Sequence, residues 1–280
     1  MTLSARRTIR NFAVTFAILY AGCFALLWAL QDRFIYPGVY ESVPNWVGMA
    51  SPVSVRRVTV PVDKQTDLAV LYRRPDPGQP TIIVFHGNAG YPEDYGFLYK
   101  AWAASGYGIV APVYRGYPRS AGVVSADAIL RDALAVYDWS ARRHPSSPIL
   151  VFGQSLGTAP AVHVAADRTV SGTILVSPFK SMLSIVEDRM PYFPVELGLR
   201  SPLRSDLDMP KVKSPVLIFH GDRDDVVPLN SGKELAALAP NPPRFVVVKD
   251  AGHIDGLFGG VMVVAINRFI AQNSAPNVLN

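Results

Sequence analysis

The sequence predicts an α/β domain, a mostly parallel eight-stranded sheet with helices on both faces, carried behind one transmembrane helix. Three observations lead there. Eight short β-branched runs occur between residues 55 and 248, the later ones separated by segments with helical apolar spacing; strands alternating with helices are how parallel sheets are built. The last six runs are near-continuously apolar, as strands covered on both faces must be. An uncharged apolar stretch, residues 11–30, precedes all of them.

That stretch reads NFAVTFAILYAGCFALLWAL, and as a helix it rises about 30 Å, the thickness of a bilayer's hydrocarbon core. Arg6, Arg7 and Arg10 precede it, whereas Arg33 is the one cation in residues 31–50. The positive-inside rule then puts the N-terminus in the cytoplasm and the main domain on the periplasmic or extracellular side. An uncleaved signal anchor fits this length. A cleaved signal peptide would have a shorter apolar core, and Trp28-Ala29-Leu30 makes a poor cleavage site. Ala21-Gly22-Cys23 has the outline of a lipoprotein site, but Tyr20 stands where a branched aliphatic is preferred. A buried amphipathic helix would need the polar face that this stretch lacks. Residues 1–32 are thus read as cytoplasmic N-terminus and anchor, and residues 33–54, rich in Pro, Gly and aromatics, as a connecting segment.

In the main domain, residues 55–275, Val55–Val62 and Leu68–Tyr72 alternate apolar with polar and suit an antiparallel edge hairpin. The buried strands are expected at Thr81–Phe85, Ile109–Val113, Ile149–Phe152, Thr173–Val176, Val216–Phe219 and Phe245–Val248. Helices are expected at Ala126–Arg143, Leu156–Ala166, Ser231–Ala239 and Ile254–Ala271. Residues 178–213 break the rhythm with Pro178, Pro191, Pro194, Pro202 and Pro210 and read as an insertion over one end of the sheet. Within it, Met182, Leu183, Met190, Tyr192 and Phe193 suit either an apolar cover for a site or plain core packing.

Composition excludes several classes. With 49% apolar and 18% charged residues, the chain is too apolar for a disordered protein. The formal charge of +5 owes three cations to the first ten residues, and no basic stripe with interleaved aromatics follows, so a nucleic-acid partner is not expected. Cys23 is the only cysteine, which rules out an intrachain disulfide and a cysteine metal site.

The chemistry centres on Gly153-Gln154-Ser155-Leu156-Gly157. The string follows the strand at Ile149–Phe152 and opens a helix, so it reads as a strained strand-to-helix elbow that exposes the Ser155 hydroxyl above the sheet edge. A serine needs a base, and the base needs an acid to orient it. His253 follows the last strand, and Asp224 follows the one before. Both lie at carboxyl ends of parallel strands, the edge where open α/β sheets build their sites. Asp222 and Asp225 crowd beside Asp224 as alternative acids, and Asp255 reads as a cap for the last helix. Of the other histidines, His86 and His220 each end a strand before glycine and read as structural; His163 sits on a helix and His144 in a polar loop. Donors for an oxyanion are expected from the backbone N–H of Leu156 and from the loop His86-Gly87-Asn88-Ala89-Gly90, with Asn88 N–H first and Ala89 N–H second. No metal or organic cofactor is called for.

These residues together resemble the α/β-hydrolase superfamily over roughly residues 55–275. The similarity is closest to membrane-associated hydrolases that include protein depalmitoylases and bud-emergence-type relatives. It is carried by His86-Gly87-Asn88-Ala89-Gly90, Tyr114-Arg115-Gly116-Tyr117, Gly153-Gln154-Ser155-Leu156-Gly157-Thr158, His220-Gly221 with Asp224 and Val227-Pro228, and Gly252-His253. Gln31-Asp32-Arg33-Phe34-Ile35-Tyr36-Pro37 also resembles members with an N-terminal transmembrane helix. The resemblance implies that Asp224 is the catalytic acid. It departs at Pro118, where the subgroup usually has glycine, and in lacking an N-terminal cysteine cluster, so protein depalmitoylation does not carry over. The expected activity is ester or thioester hydrolysis on acyl or lipid-like substrates, with the bilayer held through residues 11–30. A serine peptidase or amidase and a catalytically idle tethered binding protein are the competing readings; the latter would need none of Ser155, Asp224 and His253.

Overall fold

A computed structural model describes residues 3–41 and 55–274. Residues 42–54, most of the expected connecting segment, lie outside the described residues. A single helix, α1 (Leu3–Ile35), runs through the apolar stretch and continues into a one-turn 3-10 helix at Pro37–Val39. Tyr36 between them is fully buried in the domain.

Eight strands follow: β1 (Arg56–Pro61), β2 (Asp67–Arg73), β3 (Thr81–Phe85), β4 (Gly108–Pro112), β5 (Ile149–Gln154), β6 (Gly172–Val176), β7 (Val216–Gly221) and β8 (Arg244–Val248). Their order across the sheet is β1-β2-β4-β3-β5-β6-β7-β8. β1 and β2 form the expected antiparallel edge hairpin, β2 joins β4 antiparallel, and every later pairing is parallel. β3 to β7 are buried along their whole length. β8 departs from the expectation of burial on both faces: it is the far edge of the sheet, and Val247 is 45% exposed.

Because side chains alternate across a strand, each buried strand feeds two cores. Ile83, Phe85, Val151, Leu175 and Ile218 pack on one face against α3 (Ala126–Arg143), α4 (Thr158–Asp167) and α8 (Leu229–Ala237). Ile82, Val84, Phe152, Ile174 and Leu217 pack on the other against α2 (Gly96–Ala104) and α9 (Gly260–Asn273). Each such side chain contributes about 1.5–3 kcal/mol by leaving water. α3 begins where the sequence places it, with Ser125 accepting the Ala128 N–H at 3.2 Å, a cap worth ~1 kcal/mol.

Four helices depart from the expectation, α8 by running over Leu229–Ala237 rather than Ser231–Ala239. α2 has no counterpart among the expected helices; its aromatic, β-compatible string GFLYKAWAA is helical because Leu98, Tyr99 and Trp102 meet the sheet on one face. α4 starts after a 3-10 turn at Ser155–Gly157. α9 starts at Gly260 rather than Ile254, since Gly256 takes a positive φ of 78° that ends any earlier turn. Asp255 therefore does not cap α9; its carbonyl instead accepts the Gly252 N–H at 2.9 Å. The insertion folds into three short helices, α5 (Met182–Arg189), α6 (Val195–Gly198) and α7 (Ser205–Asp208).

The Tyr114–Tyr117 motif is a buttress for the loop after β3. Tyr114 O–H donates to the His86 carbonyl and Tyr117 O–H to the Asn88 carbonyl, each at 2.7 Å. Arg115 grips Asp132 on α3 through two nitrogens and reaches Asp63 at 2.9 Å. His86, sandwiched between the two tyrosines, is fully buried, and burial pushes its imidazole down to about 4.

Two stability outcomes are expected. Asp132→Ala leaves the Arg115 guanidinium short of its buried partner and should lower unfolding stability by about 2–3 kcal/mol, read from denaturant midpoints. His86 stays neutral in the fold but takes a proton when unfolded below its ordinary value of 6.5. Its contribution is complete above pH 6.5 and drains as pH falls toward about 4. Stability should therefore fall over that window, and His86→Asn, which does not titrate, should flatten the slope.

Candidate active site

β5 delivers Ser155 to the sheet edge in the left-handed region, with φ 50°. The turn is tight enough that a Cβ on Gly157 would run into the Phe85 carbonyl of neighbouring β3. Thr158 secures it by donating its hydroxyl to the Ser155 carbonyl at 2.6 Å. Gln154, just before the serine, accepts a short hydrogen bond from Tyr95 O–H.

Asp224 and His253 reach the same point from the loops after β7 and β8. The loops approach so closely that a Cβ on Gly221 would strike the Ala251 and Gly252 carbonyls. His253 Nε2 lies 2.9 Å from Ser155 Oγ, and its Nδ1 lies 2.8 and 3.0 Å from the two oxygens of Asp224. A carboxylate can only accept, so Nδ1 carries the proton and Nε2 is left to accept from the serine hydroxyl. The three residues lie far apart in the chain, and the structure brings them together in one relay.

The Asp224 carboxylate is wholly buried. Burial alone would raise its pKa, but His220 and His253 beside it and the Val227 N–H at 2.8 Å outweigh that and hold it well below the usual carboxylate range. Asp224 Oδ1 also accepts the Val226 N–H at 3.0 Å. Asp222 and Asp225 make no such contacts with the imidazole; Asp222 instead donates its backbone N–H to Val248. His220 is structural, as the sequence suggests, yet close to the chemistry: its Nε2 sits 2.9 Å from the Val227 carbonyl and 3.4 Å from Asp224. Ser177, at the end of β6, donates its hydroxyl to the His253 carbonyl at 3.4 Å. The Ser177–His253 contact is not legible in the sequence, because its partners come from separate loops 76 residues apart.

Ser155 and His253 open onto a cavity of about 420 Å³. Gly87, Asn88, Ala89 and Gly90 form one wall, and Tyr95, Phe97, Ile254 and Phe258 another. Asn88, in the loop after β3, lines this cavity together with Ser155, and Leu156 follows the serine directly in the chain. The insertion does not cover this cavity. Met190 and Phe193 instead line a separate groove against α1, and Met182 packs against the core; the apolar wall at the serine comes from Phe97 and Phe258, which meet edge to face at 5.5 Å. Among the described residues, no group of three or more His, Cys, Asp or Glu is placed to hold a metal ion.

Comparison with known proteins agrees with this architecture. The family model Hydrolase_4, described as serine aminopeptidase S33, matches residues 76–196. The Mycobacterium tuberculosis protein named Uncharacterized protein MT2364 is 31% identical over 98% of this chain and 99% of its own length. The zebrafish lysophosphatidylserine lipase ABHD12 is 33% identical over 57% of this chain and 47% of its own length. The Pyrococcus furiosus esterase Pf2001 superposes with a TM-score of 0.67 at 20% identity, covering 83% of this chain and 96% of that one. The fold, the family match and relatives that run the length of the chain thus converge, and the chain belongs to the α/β-hydrolase superfamily.

Proposed function

We propose that the chain is a serine hydrolase cleaving carboxylic ester or thioester bonds of acyl or lipid-like substrates beside a membrane. The observation that carries this is the unbroken relay from Ser155 Oγ through His253 to Asp224, at 2.9 and 2.8 Å, opening on an apolar-walled cavity. Ser155 attacks the acyl carbonyl while His253 Nε2 takes its proton. Asp224 holds the imidazole in the right tautomer and stabilises its positive charge. The backbone N–H groups of Asn88 and Leu156 receive the oxyanion, each such donor being worth about 3 kcal/mol in the transition state. His253 then returns the proton to the leaving group, and water cleaves the acyl-enzyme by the same steps in reverse.

Phe97, Ile254 and Phe258 suit an acyl chain, and the lysophospholipid named for the ABHD12 relative belongs to the same substrate class. α1 is long and apolar enough to cross a bilayer. With Arg6, Arg7 and Arg10 before residues 11–30, the N-terminus lies in the cytoplasm and the catalytic domain on the opposite side. A peptidase is the second reading, favoured by the description of the matching family. Asp94, on the cavity wall, is the acid that a peptide's amino terminus would meet there, and burial keeps its pKa raised.

The full chain in detergent should label with a fluorophosphonate, and Ser155→Ala and His253→Ala should each abolish labelling. Folded wild-type protein that does not label would sink the activated-serine reading. On a soluble ester, kcat should drop about 10⁶-fold in Ser155→Ala and about 10⁴-fold in Asp224→Asn. Aryl esters and acyl thioesters should turn over faster than aminoacyl anilides; the reverse order would select the peptidase.

A further inference from the structure

The insertion and the apolar helix are in contact where a bilayer ought to be. Residues 192–200 climb along α1 for three turns. At the lower end, Tyr20 O–H donates to the Tyr192 carbonyl, and the Phe193 ring stacks on Tyr20 and Phe24 at 5.0 and 6.0 Å. Higher up, Gln31 Nε2 donates to the Gly198 carbonyl at 3.2 Å, and Gln31 Oε1 accepts the Arg200 N–H at 2.7 Å. At the top, Arg200 pairs with Asp32 at 2.7 Å and lies over the Trp28 ring at 4.9 Å.

From Tyr20 to Asp32 the helix rises about 18 Å. If the insertion stayed in water, only residues 11–20 would remain to cross the membrane, and they span about 15 Å of a ~30 Å hydrocarbon core. We propose that the tip of the insertion, residues 191–199, is immersed in the lipid leaflet that adjoins the domain, with Tyr192 and Leu197 inserted among the acyl chains. The proposal rests on the reading that residues 11–30 cross the bilayer.

The chemistry of the tip fits that solvent. Tyr192 and Leu197 are 85% and 86% exposed, among the most exposed large apolar side chains of the domain. Pro191 and Pro194 have no backbone N–H, and the N–H groups of Phe193, Val195, Leu197 and Leu199 are bonded to the carbonyls of Met190, Phe193, Pro194 and Val195, which lowers the cost of placing this backbone in hydrocarbon. Glu196 is the one charged residue in 191–199; it is exposed and within electrostatic reach of Arg204, which is itself bonded to Asp206. The Arg200–Trp28–Asp32 cluster supplies the aromatic and charged groups that settle at a membrane interface. Between α1 and the tip runs a groove of about 110 Å³ walled by Phe24, Leu27, Trp28, Met190 and Phe193, which opens at the same depth. The insertion also touches the site: Arg189 donates to the Asp225 and Val226 carbonyls at 2.8 Å, beside Asp224.

The test uses the full chain in phosphatidylcholine–phosphatidylglycerol vesicles. Spin labels are placed at Tyr192→Cys or Leu197→Cys in a Cys23→Ser background, each variant first checked for fluorophosphonate labelling. Native Cys23, exposed on the apolar helix, gives the lipid reference, and Val123→Cys, at an 82% exposed site, gives the aqueous one. The label at both tip positions should be relaxed more by oxygen than by a water-soluble nickel chelate, as at Cys23, with Val123→Cys reversed. Tip labels that behave like Val123→Cys while Cys23 reads lipid would overturn the immersed tip and leave the span intact. A Cys23 label that itself reads water would overturn the span and the proposal with it.

Discussion

The close approach of the β5–α4 elbow to the end of β3 is the constraint on which the site depends. Gly157 lies against the Phe85 carbonyl with no room for a side chain, and Ser155 accepts a left-handed φ of 50° that costs of order 1–3 kcal/mol. Packing on both sides offsets that cost: Phe152 and Val151 are buried on opposite faces of the sheet, and α4 is anchored by Ala161, Val162 and Val164. The strained turn carries the Ser155 hydroxyl to the cavity at the sheet edge, 2.9 Å from His253 Nε2. The same contact puts Ser155 next to the loop after β3, so the serine and the Gly87–Gly90 loop are placed by one piece of packing.

The acid and the base are held differently. Asp224 lies in a fully buried position that would by itself favour a neutral carboxyl, and the surrounding donors reverse the preference. Taking a carboxylate out of water is expensive unless its lone pairs are filled, and here two backbone N–H groups and an imidazole fill them. The arrangement fixes the orientation of the His253 ring through its Nδ1 at 2.8 and 3.0 Å from the Asp224 oxygens.

The anchor is continuous with the site. α1 runs without a break into the Pro37–Val39 turn, where the Gly38 N–H donates to the Asn88 carbonyl at 3.3 Å, the same oxygen that accepts Tyr117 O–H. Tyr36 is buried alongside, and burial pushes its phenol up to about 12. The apolar helix is therefore docked to the loop that carries Asn88 rather than tethered to it by slack chain.

Local pattern was enough to read much of this from the residues. Strands covered on both faces must be uniformly apolar, so β3 to β7 stand out as runs, and an elbow needs glycines at fixed offsets, so Ser155 stands out between Gly153 and Gly157. Twenty uncharged residues identify α1 as a bilayer-length helix, since hydropathy is a local property. Tertiary structure decided what depends on partners distant in the chain. Which of Asp222, Asp224 and Asp225 meets His253 was settled by the approach of two loops. α2 is a helix because the sheet gives its aromatic face something to cover, and α9 begins late because Gly256 turns the chain after His253. The insertion turned out to lie along α1 rather than over Ser155, because Phe193 finds its apolar partners on Tyr20 and Phe24, a pairing across more than 160 residues that no periodicity encodes.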